Sequence, residues 1–224
     1  MSDTGFVVGN GPSLRGFDLT RLDPAATVGM NAAYRYWRKI GWYPSAYCCL
    51  DDQLIETHHA EIDRLFEDRF VDDFFLNGRF FELHPERIGH PAFLSFDQFS
   101  PHWHAQRGEK MGLPFINHPA FRTADPGKVT TGAYAVRYMA YRGFARIALL
   151  GIDLRYVEVL PQAEPTEGVG LVMTETPDTN PNYFFDEYQQ VGDRFNIPNP
   201  QVHKGNLHLR SFELVRDDFA ANEV

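Results

Sequence analysis

The chain has 224 residues, of which 43% are hydrophobic, and it carries a formal net charge of −9 at pH 7. This length and composition predict one sizeable domain, or one domain with a lid, built around a real hydrophobic core. Because lysines and arginines form no cluster, wholesale binding to nucleic acid phosphates is excluded as a function. A bound nucleotide would therefore have to be held by backbone amides, hydroxyls and a few local cations.

The two cysteines, Cys48 and Cys49, are adjacent and lie in an apolar run. This placement is typical of the core of a protein from a reducing compartment, and it does not resemble a disulfide framework. The N-terminus shows no signal segment, and no stretch is long and apolar enough to span a membrane. The sequence therefore predicts a cytoplasmic protein.

The first predicted strand ends in a turn with the sequence GNGPS at residues 9–13. Gly9 and Gly11 allow backbone conformations and close approaches that a side chain forbids. Pro12 suits the first turn of a helix, and Ser13 offers a hydroxyl beside the N–H groups of that turn. The pattern is neither the dinucleotide GxGxxG nor the P-loop motif. It indicates a nucleotide phosphate site at the edge of an α/β sheet, with a plain strand-to-helix turn as the alternative.

The following segments alternate between strands and helices. Residues 14–22 are expected to form a short helix or turn; residues 26–30, 46–50 and 70–76 are predicted strands, and 32–40 and 52–66 are predicted helices. The first strand ends at Gly9 and Asn10, the second at Asn31 and the third at Asp51, which should also cap the next helix. Because the carboxyl ends of parallel strands share one edge of a sheet, these groups should line a common ligand site.

Residues 77–128 are rich in Phe, His, Pro and Gly, and they predict short strands and loops over the sheet edge. His102 and His104 could suggest a metal site, but no suitably spaced ligand completes the set. We therefore expect these two histidines to serve in loop packing or to lie at the surface.

A helix beginning at Thr130 or Thr131 is predicted to run through Tyr141, and the small Gly132 would let its start approach the ligand edge. An apolar strand at 145–153, ending in Asp153, follows a tight glycine turn. Helix, turn and strand together are typical of a right-handed crossover unit.

Residues 157–195 lack periodicity, yet five aromatic side chains fall between Tyr183 and Phe195. Such a long aromatic loop is more typical of a lid or binding loop than of a linker. Residues 1–156 and 196–224 would then form one Rossmann-like domain, with residues 157–195 as its lid or active-site loop. A last helix is predicted at 211–221, after His203 and His208. A Rossmann-type sheet usually adds a further strand after such a helix. The sequence is therefore expected to be part of a longer protein.

Two stretches resemble the bacterial sialyltransferases of glycosyltransferase family 42, the Campylobacter lipooligosaccharide type. The first is GNGPSL at 9–14, followed by Asn31, and the second is VTTGAY at 129–134, continuing to GID at 151–153 and Tyr156. The family has Ile-Thr-Ser-Gly-Val-Tyr and Gly-Ile-Asp-Phe-Tyr in the same order at similar spacing. The last helix also aligns, with His203 in the place of the family's catalytic histidine. About fifty residues align convincingly, and GNGPSL is shared with proteins resembling the archaeal pterin pyrophosphokinases.

The resemblance implies an inverting transferase with a Rossmann-like, GT-A-type, mainly parallel sheet flanked by helices, which uses a CMP-activated sugar without an essential metal or cofactor. His203 would accept the proton of the acceptor hydroxyl, and Tyr156 and Tyr183 would donate hydrogen bonds to the departing phosphate. Lys128 would stand where the family has an arginine. The nucleotide sugar would contact a set of residues at the strand ends and helix starts: Asn10, Gly11, Pro12, Ser13, Asn31, Asp51, Thr130, Thr131, Gly132 and Asp153.

Two departures from the family concern the donor. Asp51 replaces an asparagine and adds a negative charge beside an anionic donor, and Lys128 lacks the bidentate geometry with which arginine binds a carboxylate. The resemblance with these departures implies a donor sugar that is either sialic acid or a related nonulosonate or Kdo-type sugar. The resemblance also implies a glycan or lipooligosaccharide acceptor, homo-oligomers and peripheral association with the inner membrane.

Two other functions remain open from the sequence. One is an ATP- and Mg²⁺-dependent pyrophosphokinase-like enzyme in which Asp51 and Asp153 bind the metal. The other is a non-catalytic nucleotide-sugar-binding module. His208 is an alternative to His203 as the general base, because it directly precedes the last helix.

Overall fold

The computed structural model describes residues 3–155, 159–166, 168, 170–197 and 205–224. Its centre is a six-stranded parallel sheet in the order β5-β4-β3-β2-β1-β6. The strands are β1 (Thr4–Val8), β2 (Thr27–Met30), β3 (Ala46–Cys49), β4 (Asp73–Leu76), β5 (Phe93–Ser95) and β6 (Arg146–Leu150). The chain runs outward from β1 to β5 and then returns to the other side of β1. The predicted Rossmann-like α/β class is thus confirmed.

Helices cover both faces of this sheet. They are α1 (Tyr34–Ile40), α2 (Asp52–Glu67), α3 (Gly78–Leu83), α4 (Pro101–Trp103), α5 (Thr131–Tyr141) and α6 (Leu207–Asn222). Alternate strand residues face opposite sides: Cys49 and Leu76 pack on the side of α1 and α2, and Cys48 and Phe75 on the side of α5. Burial on both faces explains why the strand sequences are almost continuously apolar. Both cysteines are buried and unpaired with each other, as predicted.

Two strand boundaries differ from the prediction because the backbone turns earlier. Arg69 has a left-handed φ of 57° after α2, and Phe70 stacks on Tyr43 with ring centroids 4.5 Å apart, so β4 begins only at Asp73. At the other end, Gly151 has a φ of 62°, which ends β6 at Leu150. Asp153 therefore lies in the loop beyond the strand.

A second sheet forms where the sequence shows no periodicity. It is antiparallel, in the order β7 (Ala163–Pro165), β8 (Gly170–Met173) and β9 (Arg194–Asn196), and it has a small hydrophobic cluster of its own. Helix α3 and strand β5 likewise arise in the loosely patterned 77–128 segment. Such three- to six-residue elements are too short to show a period.

The aromatic segment between β8 and β9 belongs to the main core. Phe184 and Phe185 lie 4.9 and 5.3 Å from the ring of Tyr36 at α1, and both are buried. The segment therefore covers one face of the sheet in this conformation. Its role as a lid stays a prediction.

A buried polar network joins β9 and the turn before it to α1 and α2. The Asp193 carboxylate accepts hydrogen bonds from Arg35 at 2.5 and 2.9 Å and contacts His58 at 3.0 Å, while His58 contacts the Tyr34 hydroxyl at 2.7 Å. Burial alone would raise the pKa of Asp193, but the hydrogen bonds from Arg35 and His58 lower it to about 2. The carboxylate is therefore charged and paired at neutral pH.

Among the described helices, none is long and apolar enough to cross a bilayer.

A buried ion pair fixes α6 against α5. Arg137 is 1% exposed and donates to Asp218 at 2.5 Å and to the carbonyl of Ala120 at 2.9 Å. Asp218 also accepts from the backbone N–H of Ala124 at 3.2 Å. Because α6 contributes to the cavity described below, this pair holds one wall of that cavity.

We predict that Asp218→Asn destabilises the protein by about 3–5 kcal/mol, because it leaves a buried guanidinium without its counter-charge. Urea unfolding measures the change. Asp217→Asn is the matched control, since Asp217 pairs with Arg216 at the surface and its loss should cost less than about 1 kcal/mol. Equal losses in the two variants would contradict a structural role for the buried pair.

Candidate functional site

A cavity of about 340 Å³ opens at the carboxyl edge of the parallel sheet, beside the point where the chain order reverses. This is the position at which open α/β sheets bind ligands. Its walls come from the loops after β1, β2, β3 and β6, the start of α5, the aromatic segment, the end of β9 and the start of α6. The lining residues include nine that the sequence singled out: Asn10, Gly11, Asn31, Asp51, Thr130, Thr131, Gly132, Asp153 and Tyr183.

The floor of the cavity is the contact between the loops after β1 and β6. The N–H of Gly9 donates to Leu150 O at 2.8 Å, and that of Gly11 donates to Gly151 O at 2.9 Å. A Cβ at Gly9 or Gly11 would collide with Gly151 O or with the Asp153 carboxylate. Gly11 has an ordinary extended backbone, with φ −69° and ψ 157°. These glycines are therefore required for close packing against the chain's own β6 loop.

The carboxylate of Asp153 occupies the place beside Ser13 where the sequence predicts a bound phosphate. The N–H of Ser13 donates to Asp153 Oδ2 at 2.9 Å, and the Ser13 hydroxyl donates to Asp153 Oδ1. Pro12 opens the three-residue 3-10 turn that contains Ser13, and neither residue lines the cavity. An external phosphate at this turn would have to compete with the Asp153 carboxylate.

Two asparagines of the cavity lining have buried side-chain oxygens that lack a hydrogen-bond donor. The Asn10 side-chain amide donates to Met30 O at 3.2 Å and to the Tyr188 hydroxyl at 3.0 Å. Asn10 Oδ1 and Asn31 Oδ1 are both buried, and no other described residue donates to them. Asn31 also has a left-handed φ of 54°, a conformation that asparagine tolerates. Two buried acceptors without donors suit a ligand that presents N–H or O–H groups.

The start of α5 forms another part of the cavity wall. Helix α5 starts at the cavity, where the Thr130 hydroxyl caps it by accepting from Ala133 N at 3.4 Å. The Thr131 hydroxyl accepts from Leu50 N at 3.2 Å, which fixes this helix start to the end of β3. The N-terminus of an eleven-residue helix carries partial positive charge. This wall therefore suits an anionic group.

Asp51 is the predicted N-cap of α2, and the structure confirms that role. Its carboxylate accepts from Gln53 N at 3.0 Å, from Leu54 N at 3.2 Å and from both the backbone and side-chain N–H groups of Asn196 at 2.9 Å. Burial raises the pKa of Asp51 to about 6, against the effect of these hydrogen bonds. The group thus ties β9 to the cavity edge.

The aromatic segment closes one side of the cavity. Tyr183 stacks on Tyr188 with ring centroids 3.7 Å apart, and both side chains line the cavity. The N–H of Phe184 donates to Asn10 O at 3.1 Å. Asn10 therefore connects the loop after β1 to this segment through both its backbone and its side chain. Tyr188 is one of the five aromatic residues from Tyr183 to Phe195, and nothing in their spacing distinguishes it from the others.

The remaining predicted residues divide into three groups. His208, near the start of α6, lines the cavity. Lys128 does not line it, and the Lys128 ammonium lies 3.9 Å from Asp125. Tyr156 and His203 lie outside the described residues. Arg155, Asn196 and Phe212 line the cavity without having been predicted, because they follow no motif.

Among the described residues, one cluster of side chains has the spacing of metal ligands, and none of its members lines the cavity. Asp63, His84 and Glu86 have ligand atoms within 4.8 Å of one another. The Asp63 carboxylate already accepts two hydrogen bonds from Arg87, at 2.8 and 3.1 Å. His102 and His104 belong to no such cluster; His104 Nε2 contacts Leu113 O at 2.8 Å.

The raised pKa of Asp51 predicts a pH-dependent loss of stability. Between about pH 4 and 6 the folded state holds a proton that the unfolded chain releases, so stability falls as the pH rises through this window. Across this window the free energy of unfolding should decrease by about 3 kcal/mol because of Asp51, given its pKa of about 6 in the folded state. Asp51→Asn should reduce the fall by that amount, as measured by urea unfolding across the window.

The control for this experiment is Asp52→Asn, because Asp52 is the exposed neighbour in the same turn. It should retain most of the fall seen in the pH profile of the unmodified protein, because burial contributes more than the Asp52 charge to the raised pKa of Asp51. If Asp51→Asn also retained that profile, the assigned protonation of Asp51 would be wrong.

Comparison with family models, with curated proteins and with solved structures finds no match to this chain. Its membership of any family is thus not established by similarity, and the functional argument depends on the cavity.

Proposed function

We propose that the chain is an inverting glycosyltransferase that uses a CMP-activated sialic acid or a related nonulosonate or Kdo-type sugar. The observation that carries the proposal is that nine residues implied by the sequence line one cavity at the switch point of the sheet. They come from six separate parts of the chain. Their convergence supports a nucleotide-sugar site more strongly than any of the short motifs does.

The polarity of the cavity supports a nucleoside phosphate as its ligand. The free oxygens of Asn10 and Asn31 suit the amino group of a base or the hydroxyls of a ribose. The start of α5, with Thr131 and Gly132, suits the phosphate. Because Ser13 is bound to Asp153, we assign the phosphate to α5 and not to the turn after β1.

In the proposed reaction, the acceptor hydroxyl oxygen attacks the anomeric carbon of the donor, and the bond from that carbon to the CMP phosphate oxygen breaks. The bonding electron pair leaves with CMP. His208 accepts the proton of the hydroxyl, since an ordinary imidazole is a suitable base near neutral pH. The hydroxyl of Tyr183 and the N-terminus of α5 stabilise the charge that develops on the phosphate.

The pyrophosphokinase alternative is less well supported. It needs Asp51 and Asp153 to bind Mg²⁺. The Asp51 carboxylate accepts four hydrogen bonds from N–H groups, and that of Asp153 accepts two from Ser13. Coordination of a cation would require these bonds to be replaced.

We predict that CMP stabilises the protein against thermal unfolding with or without Mg²⁺, by about 2.7 kcal/mol at 100 times its dissociation constant. Thermal-shift titration and calorimetry measure this effect. Stabilisation by ATP only when Mg²⁺ is present would favour the pyrophosphokinase alternative. Tight CMP binding with no turnover of any CMP-sugar would favour a non-catalytic module.

Asn31→Gly tests the nucleotide site without disturbing its backbone, because glycine adopts the left-handed conformation readily. Loss of the Oδ1 acceptor should weaken CMP binding about tenfold, the value of one hydrogen bond. Arg69→Gly is the matched control, since Arg69 has a similar φ of 57° and does not line the cavity. Unchanged CMP affinity in Asn31→Gly would contradict the proposed contact.

His208→Gln should lower the rate of sugar transfer by about 10²- to 10⁴-fold while leaving the CMP dissociation constant unchanged, as expected for loss of a general base. The comparison variant is His203→Gln, assayed in parallel. If the second variant lost the rate and the first kept it, the base would be His203.

A further inference from the structure

The cavity has little positive charge for the anionic ligand that the proposed function requires. Among the described residues that line it, Arg155 is the only arginine or lysine, whereas Asp51 and Asp153 contribute two carboxylates. The whole chain also carries a net charge of −9. A phosphate entering this cavity therefore needs a local cation to offset repulsion.

Arg155 is available to serve as that cation. Its side chain is exposed, and no hydrogen bond or ion pair joins it to another described residue. Most arginines elsewhere in the described structure are paired with carboxylates, as Arg35 is with Asp193 and Arg137 with Asp218. A guanidinium that is unpaired at a cavity wall can form two parallel hydrogen bonds to a phosphate.

The backbone before Arg155 is held in an unusual conformation. Leu154 has a left-handed φ of 58°, which costs a residue with a Cβ free energy and which glycine would adopt more easily. The side-chain amide of Asn206 donates to Leu154 O at 2.9 Å. The oxygen of the same amide caps α6 by accepting from Leu209 N at 3.1 Å. One side chain thus fixes the loop after β6 to the helix that carries His208.

We propose that Arg155 binds the anionic group of the cavity's ligand, and that Asn206 acts as a positioning residue by holding Leu154. The inference rests on the proposed function in that the anion is taken as the phosphate of a cytidine nucleotide. During transfer, the guanidinium would neutralise the charge that the departing phosphate gains. Local backbone strain at a cavity wall agrees with this role, since such strain is retained where it serves a function.

The decisive comparison is between CMP and cytidine, which share base and ribose and differ in the phosphate. Calorimetry on the full chain should show that the unmodified protein binds CMP about 10- to 100-fold more tightly than cytidine. Arg155→Gln should remove most of this preference, with the start of α5 retaining the remainder, and should leave cytidine affinity unchanged. Arg146→Gln is the control, because Arg146 is an exposed arginine at the opposite end of β6. It should keep the preference for CMP.

Each outcome is informative. If Arg155→Gln keeps the preference for CMP, or if the unmodified protein binds CMP no better than cytidine, the inference about Arg155 is overturned while the nucleoside site stands. Inorganic pyrophosphate is the third probe. Pyrophosphate binding that Arg155→Gln abolishes, without any binding of cytidine or CMP, would retain Arg155 as an anion site and overturn the proposed function. Binding of none of the three overturns both.

Asn206→Ser tests the positioning role. Serine retains a cap for α6 but has no side-chain amide to donate to Leu154 O. We expect the preference for CMP over cytidine to fall about threefold or more, with an unchanged melting temperature and an unchanged affinity for cytidine. A parallel loss of affinity for both ligands, or a fall in melting temperature alone, would assign Asn206 a purely structural role.

Discussion

The candidate site depends on how closely the loops after β1 and β6 approach each other. These strands are neighbours in the sheet although about 140 residues separate them, and their loops are joined by backbone hydrogen bonds from Gly9 and Gly11. A side chain at either glycine would collide with the other loop. Strand β1 has β2 on one side and β6 on the other, so the chain order of the sheet reverses at β1. The crevice at this point is a consequence of the sheet topology, whereas its polarity and charge depend on the side chains that line it.

That chemical character is uneven across the cavity. Its lining includes Asn10 and Asn31, whose buried side-chain oxygens have no donor, and also the N-terminus of α5 and Arg155. The carboxylates that line the cavity are largely engaged by the protein itself, Asp51 with α2 and β9 and Asp153 with the turn after β1. An arrangement of this kind suits the ligand proposed above, which has hydrogen-bond donors at one end and an anion at the other.

The aromatic segment and the second sheet complete the site from outside the parallel sheet. They are fixed by buried charge: Arg35 and His58 hold Asp193, and Asn196 holds Asp51. Breaking either connection would leave a buried charge or polar group without a partner, which is costly. In this conformation the segment is therefore an integral part of the core. Any opening would have to begin at the loops that lie between these anchor points.

The sequence by itself determined the class of fold and most of the cavity wall. Apolar runs separated by helical periodicity predict a parallel sheet, and polar residues directly after the strands, such as Asn31 and Asp51, must then meet at one edge. Hydrogen bonding by the N-caps Asp51 and Thr130 is equally local, because each side chain accepts from its own helix. Short-range rules suffice for all of these features.

Only the tertiary structure decided which partner each of these groups has. The pairing of Ser13 with Asp153 spans 140 residues, and no local pattern distinguishes it from a site for an external phosphate. The antiparallel sheet, the contact of Asn206 with Leu154 and the exposure of Arg155 at the cavity are likewise long-range. The last two depend on the way the crossover brings β6 back beside β1. Such contacts are set by packing, which the spacing of residues along a chain does not encode.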